Sequence, residues 1–173
     1  MAKIIGFSRF YPATHFRAGQ PTYFVEKILN GFGIDYQSQD YLHLLRKLNY
    51  DRLQLAEDLW GELVAIPKGE LQTKFTTIRE TDTWRQGDMF SPRVWSGAPY
   101  KSKRLKIYNE WELVGVKSFI VNDTGFCKLG DMLAPSIKYI AERDGLHKLD
   151  WEAWFKYPKK FYGQQLTFND QLI

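Results

Sequence analysis

Lys74, Thr77 and Arg79 place an amine, a hydroxyl and a guanidinium within six residues, inside the segment Gln72 to Arg85 that reads QTKFTTIRETDTWR. Phe75 to Arg79 is short and β-branched and reads as a strand. Alternation then sets Phe75, Thr77 and Arg79 on one face, with Thr76 and Ile78 on the other. At the mouth of such a strand Lys74 supplies a mobile point charge and Arg79 a rigid fork for a carboxylate, phosphate or base edge. Thr77 adds both a donor and an acceptor. The same residues also suit an ordinary amphipathic strand whose Arg79 is held in an internal ion pair.

Two further segments mix aromatic and basic side chains. Phe7 to Phe16, FSRFYPATHF, followed by Arg17, brings Arg9, His15 and Arg17 among rings able to stack on bases. Pro92 to Arg104 gathers Arg93, Trp95, Tyr100, Lys101, Lys103 and Arg104. The first also suits core or half-buried aromatics, which phenylalanine and tyrosine more often are, and the second a solvated loop that needs no ligand. Beside Lys74 to Arg79 they would complete one positive, aromatic-lined cleft. His15, His43 and His147 lie far apart without metal-ligand spacing, and Cys127 is the only cysteine, so neither an internal disulfide nor a metal centre is expected. Glycine-rich phosphate loops, nucleophile elbows and deaminase-type clusters are absent, and no cofactor is expected.

The elements that must position these residues follow from pattern. Lys3 to Phe7 reads as a first strand, Arg9 to Gly19 as a loop broken by Pro12, Gly19 and Pro21, and Thr22 as the cap of a helix running to Asn30 and Gly31. Asp40 to Leu63 reads as helical, forming an insertion. Met89 to Trp95 is a strand, and Leu105 to Val121 a strand pair or one long bent strand. Helices are expected around Leu133 to Ala141 and Leu149 to Tyr157, with Phe161 to Phe168 as a closing strand. Trp151 and Trp154, spaced i to i+3, read as packing a helix against the sheet.

The chain has 173 residues, of which 44% are hydrophobic, enough for one core without metals or disulfides. Lys and Arg number 24 against 20 Asp and Glu, a net +4 that permits an anionic partner without requiring one. Met1 to Ser8 has no signal-peptide core, and no stretch approaches the roughly 20 apolar residues of a spanning helix. A cytoplasmic, non-membrane, single-domain chain is expected, mixed α/β (α+β) in class, with a small curved sheet or barrel favoured over a doubly wound sheet.

KFTTIR at Lys74 to Arg79, followed by Trp84, Arg85, Gln86, Gly87 and Asp88, resembles the K-x-x-T-I-R then W-x-x-G-D signature of ASCH domains. IAERDGL at Ile140 to Leu146 resembles the late helix end of that family, and FSRFYPATHFRAGQPTYFVEKI the opening of its larger members. The resemblance implies a PUA-like curved β-barrel with flanking helices over residues 1–173, with a helical insertion at about 37–63. It also implies binding of RNA or a modified nucleotide in a cleft beside the barrel. One bacterial branch with this motif hydrolyses the acetyl amide of N4-acetylcytidine. The resemblance places that branch's lysine on Lys74, its threonine on Thr77 and its late glutamate on Asp144, where the acid here is one methylene shorter.

The leading expectation is therefore a domain that binds RNA or a nucleotide-like ligand on a floor of Lys74, Thr77, Arg79 and Asp144, with Arg9, His15, Arg17, Arg93 and Trp95 as walls. An amidohydrolase acting on N4-acetylcytidine or a related small amide, with Lys74, Thr77 and Asp144 catalytic, is the second reading. A protein-interaction module using residues 40–60 of the insertion is the third.

Overall fold

The computed structural model describes residues 2–33, 73–95 and 99–169. The helical insertion expected at about 37–63, and with it the proposed partner surface at 40–60, lies outside the described residues.

Alternation builds the first strand, β1 (Lys3–Phe7): Ile5 and Phe7 are 2% exposed and face the core, while Gly6 between them faces the other way. Helix α1 (Phe24–Gly31) follows the loop and buries Phe24, Val25, Ile28 and Leu29. It ends at a close crossing. A Cβ on Gly31 would lie 2.5 Å from the Lys74 carbonyl oxygen, so only glycine lets residues 73–75 pass the helix end, where the Lys74 N–H donates to Lys27 O at 3.0 Å.

The remaining strands are β2 (Thr76–Arg79), β3 (Met89–Trp95), β4 (Arg104–Lys106), β5 (Trp111–Glu112), β6 (Gly115–Val121), β7 (Cys127–Leu129), β8 (Met132–Leu133) and β9 (Phe161–Thr167). Helices α2 (Ile137–Arg143) and α3 (Lys148–Phe155) precede β9. In one sheet β3 pairs in parallel with β1 and antiparallel with both β4 and β5. The other has the order β2-β9-β6-β7-β8. Its centre is the long antiparallel ladder of β6 and β9, from Gly115 opposite Thr167 to Val121 opposite Phe161.

This arrangement overturns the expected PUA-like curved β-barrel. Both sheets are open: β2 and β8 end the larger one without pairing to each other, and β1 and β2 belong to different sheets. The lengths explain it. β8 has two residues with Met132 and Leu133 exposed, too short an edge to seal against another strand. Mixed α/β class holds, with helices and two sheets enclosing one apolar cluster that includes Phe7, Ile28, Phe90, Phe119, Ile140, Trp151 and Phe168.

The stretch read as a strand pair or one bent strand divides into β4, β5 and β6: Ile107 to Glu110 separates β4 from β5 within one sheet, and Leu113 and Val114 carry the chain on to β6 in the other. The hairpin β7–β8 was missed. Leu133, assigned from sequence to the following helix, instead pairs with Lys128. The expected strand at Phe75 begins at Thr76, since the Phe75 N–H donates to Arg143 O at 3.0 Å and its carbonyl accepts from Phe168 N–H at 2.8 Å.

Candidate functional site

Lys74 and Asp144 meet through their backbones before their side chains. The two residues form an isolated antiparallel bridge where the chain entering β2 crosses the end of α2. One left-handed, close-packed position follows from that crossing. Gly145 has φ +71, and a Cβ there would stand 2.9 Å from Lys74 Cβ.

The Lys74 ammonium, 1% exposed, donates to the Asp144 carbonyl at 2.6 Å and to the Asp144 carboxylate. Lys27, also 1% exposed, donates to Gly145 O at 2.8 Å. Two buried cations thus cap the carbonyl end of α2, where the helix leaves acceptors unpaired and favours positive charge. The mobile point charge expected of Lys74 is instead a clamped one. Of its three N–H groups two go to Asp144, and the Phe24 ring lies 4.4 Å from Nζ.

Burial pushes the Lys74 ammonium below its ordinary range. Asp144 opposes that shift, and the neighbouring Arg79 adds to it. Burial likewise pushes the Asp144 carboxyl up, against the pull of Lys74, Arg79 and Lys27. Three cations therefore surround one carboxylate in a place where water does not screen them.

Arg79 sits at the end of β2, its Nη2 donating to Gly6 O at 2.8 Å and its guanidinium 5.3 Å from the Phe7 ring. Thr77, 4% exposed, lies on the same side of the strand, and its hydroxyl has no hydrogen-bond partner among the described residues. Lys74, Thr77, Arg79 and Asp144 all line one cavity of about 250 Å³, closed by Phe7, Phe24, Trp95, Tyr100, Trp154 and Phe155. It opens past Arg79, Trp95, Tyr100 and Trp154 into a wider cleft of about 640 Å³.

Of the walls expected from sequence, Trp95 alone reaches either cavity. His15 is buried in the loop after β1, stacked on Tyr11 and Phe16. Its Nε2–H donates to Asp150 O at 3.0 Å and its Nδ1 accepts from Arg17 N–H at 3.0 Å, a pattern that fixes the tautomer. Arg17 pairs with Asp150 at 2.9 Å. Together they fasten the loop to α3. Arg9 lies over the Phe10 ring and Arg93 beside Ser91, and neither lines a cavity.

Further lining comes from Phe155, Lys156, Lys159 and Lys160, which the sequence did not single out, and from Trp154, read there as packing a helix against the sheet. Trp154 and Phe155, from α3, line both cavities, and Lys156, Lys159 and Lys160 line the outer one together with Arg104. The available signal was the run KYPKK directly after a helix: three lysines on a turn that cannot continue the helix must lie at its rim. Trp154 had no such signal, since i to i+3 spacing is the same for a packing pair and a pair divided between core and cleft.

Among the described residues no group of three or more His, Cys, Asp or Glu could hold a metal ion, and no helix is long and apolar enough to cross a membrane. No family model, curated protein or solved structure matches this chain, so the ASCH and PUA-like assignment drawn from its motifs is not sustained, in keeping with its two open sheets.

Proposed function

We propose that this protein binds a nucleotide-like ligand, with a base or similar flat heterocycle in the inner cavity. The observation that supports this most is the makeup of that cavity. Aromatic rings of Trp95, Tyr100, Trp154 and Phe155 surround a polar floor holding Lys74, Thr77, Arg79 and Asp144. Rings offer stacking surface, while the floor offers donors from an ammonium, a guanidinium and a hydroxyl beside one carboxylate acceptor, the mixed edge that a heterocycle with carbonyl and amino groups presents. The inner volume falls just below, and the outer within, the roughly 300–1,000 Å³ usual for small-molecule sites. That scale favours a mononucleotide over a polymer.

Equilibrium titration with nucleosides and nucleotides tests the reading. Saturable binding is expected, weakened about tenfold in Thr77→Val, which removes one hydrogen-bonding group and keeps the side chain's shape. No binding to any of them by folded protein would reject it.

One observation favours a second reading, hydrolysis of a small amide such as N4-acetylcytidine. Burial favours the neutral amine of Lys74, the form that accepts a proton, and the Thr77 hydroxyl, without a hydrogen-bond partner among the described residues, lies in the same cavity. Lys74 would take a proton from water or Thr77 as it attacks the amide carbonyl, and Asp144 would relay one to the departing amine. It ranks second because the Lys74 hydrogen bonds run to Asp144 and none to Thr77. Release of acetate by wild type, lost in Thr77→Val, would promote it; no release would remove it.

A further inference from the structure

We infer that the outer cleft is an anion subsite that takes a phosphate monoester, so that the ligand is a nucleotide in preference to a free nucleoside; this rests on the nucleotide-like reading of the inner cavity. Among the described residues five cationic side chains, Arg79, Arg104, Lys156, Lys159 and Lys160, line that cleft against the single acid Glu80. They come from separate elements of the fold. The Arg104 guanidinium is held over the Trp95 ring at 5.3 Å, and the lysines come from the turn after α3. A phosphate carried by a sugar at the junction would meet charge from both elements.

The alternative use of these lysines is within the protein. Lys160 approaches Asp123 at 3.8 Å, but both side chains are largely exposed, at 50% and 76%, and such a pair holds its members weakly. Lys156 follows the end of α3, where a cation is favoured in any case, so Lys159 and Arg104 carry the argument. Neither has an ion-pair partner among the described residues. Arg79 joins the two cavities: it lines both, and its guanidinium donates to Gly6 O, beside which both cavities pass.

The test titrates wild type and the Lys159→Glu, Lys160→Glu double variant with the common nucleosides, their 5′-monophosphates and a short single-stranded RNA. Wild type is expected to bind a monophosphate about tenfold or more tighter than its nucleoside, an advantage that falls with salt and shrinks toward one in the double variant. Arg104→Glu should reduce the same ratio. If nucleosides and monophosphates bind equally, the subsite is wrong while the inner-cavity reading stands. If neither binds, both are wrong. RNA binding far tighter than any monophosphate would overturn the monoester assignment in favour of a phosphodiester chain.

Discussion

Replacing Asp144 with Ala is expected to destabilise the protein by about 3–5 kcal/mol, the range for removing one partner of a buried ion pair. Lys74 would lose its charged acceptor while staying enclosed by Phe7, Phe24 and the end of α2. Lys74→Met leaves Asp144 buried, though Lys27 and Arg79 still act on it, so its cost should be the smaller of the two. The double variant Lys74→Met, Asp144→Ala leaves neither charge stranded and should lose less than the two single changes together. Urea unfolding of the four proteins measures the coupling. Strictly additive losses would show that the pair is not energetically joined.

The pH dependence of that cycle has a definite sign. Lys74 titrates in the folded protein below its ordinary value of about 10.4, chiefly through burial, so between those two values the unfolded chain holds a proton that the folded one has released. Through that window wild type should gain stability with rising pH relative to the double variant. Asp144, raised chiefly by burial, acts in the opposite sense. From about 3.9 up to its folded value the folded protein holds the extra proton, and stability should fall as pH rises.

Gly145→Ala is expected to cost about 2–5 kcal/mol, from two separate sources. A side chain at φ +71 costs roughly 1–2 kcal/mol on conformation alone. The new methyl would also stand 2.9 Å from Lys74 Cβ and 3.4 Å from Lys27 Cδ, an overpacking worth about 1–3 kcal/mol more. Gly19→Ala separates the two. Gly19 has φ +78 with nothing within 4 Å of a new Cβ, so only the conformational cost should appear there. Equal losses at the two positions would show that the crossing of Lys74 and Asp144 is looser than its distances imply.

The local elements were legible in the sequence where one face is buried. Ile5 and Phe7 alternate, Phe24, Ile28 and Leu29 recur at helical spacing, and these marks located β1 and α1. The site floor was legible in part for the same reason. Alternation set Thr77 and Arg79 on one side of β2, and both line the inner cavity. Pattern does not encode which strands pair. The parallel register of β1 with β3 and the separation of β2 into another sheet depend on contacts across more than seventy residues, and a closed barrel was read where two open sheets form. The burial of Lys74 was equally hidden, since a lysine among polar residues reads as solvated until the end of α2 is brought against it. His15 and Arg17 misled for the converse reason: residue types suited to nucleic acid also suit a loop that must be fastened to α3.

The nucleotide-binding account is tested most directly by a crystal structure of the protein with the tightest-binding nucleoside monophosphate. The account predicts the base between the aromatic walls of the inner cavity, its polar edge within hydrogen-bond distance of Lys74, Arg79 or Asp144, and its phosphate between Arg104 and Lys159. A ligand bound elsewhere with this cavity empty, or a base on the outer lysines with its phosphate turned to solvent, would contradict it.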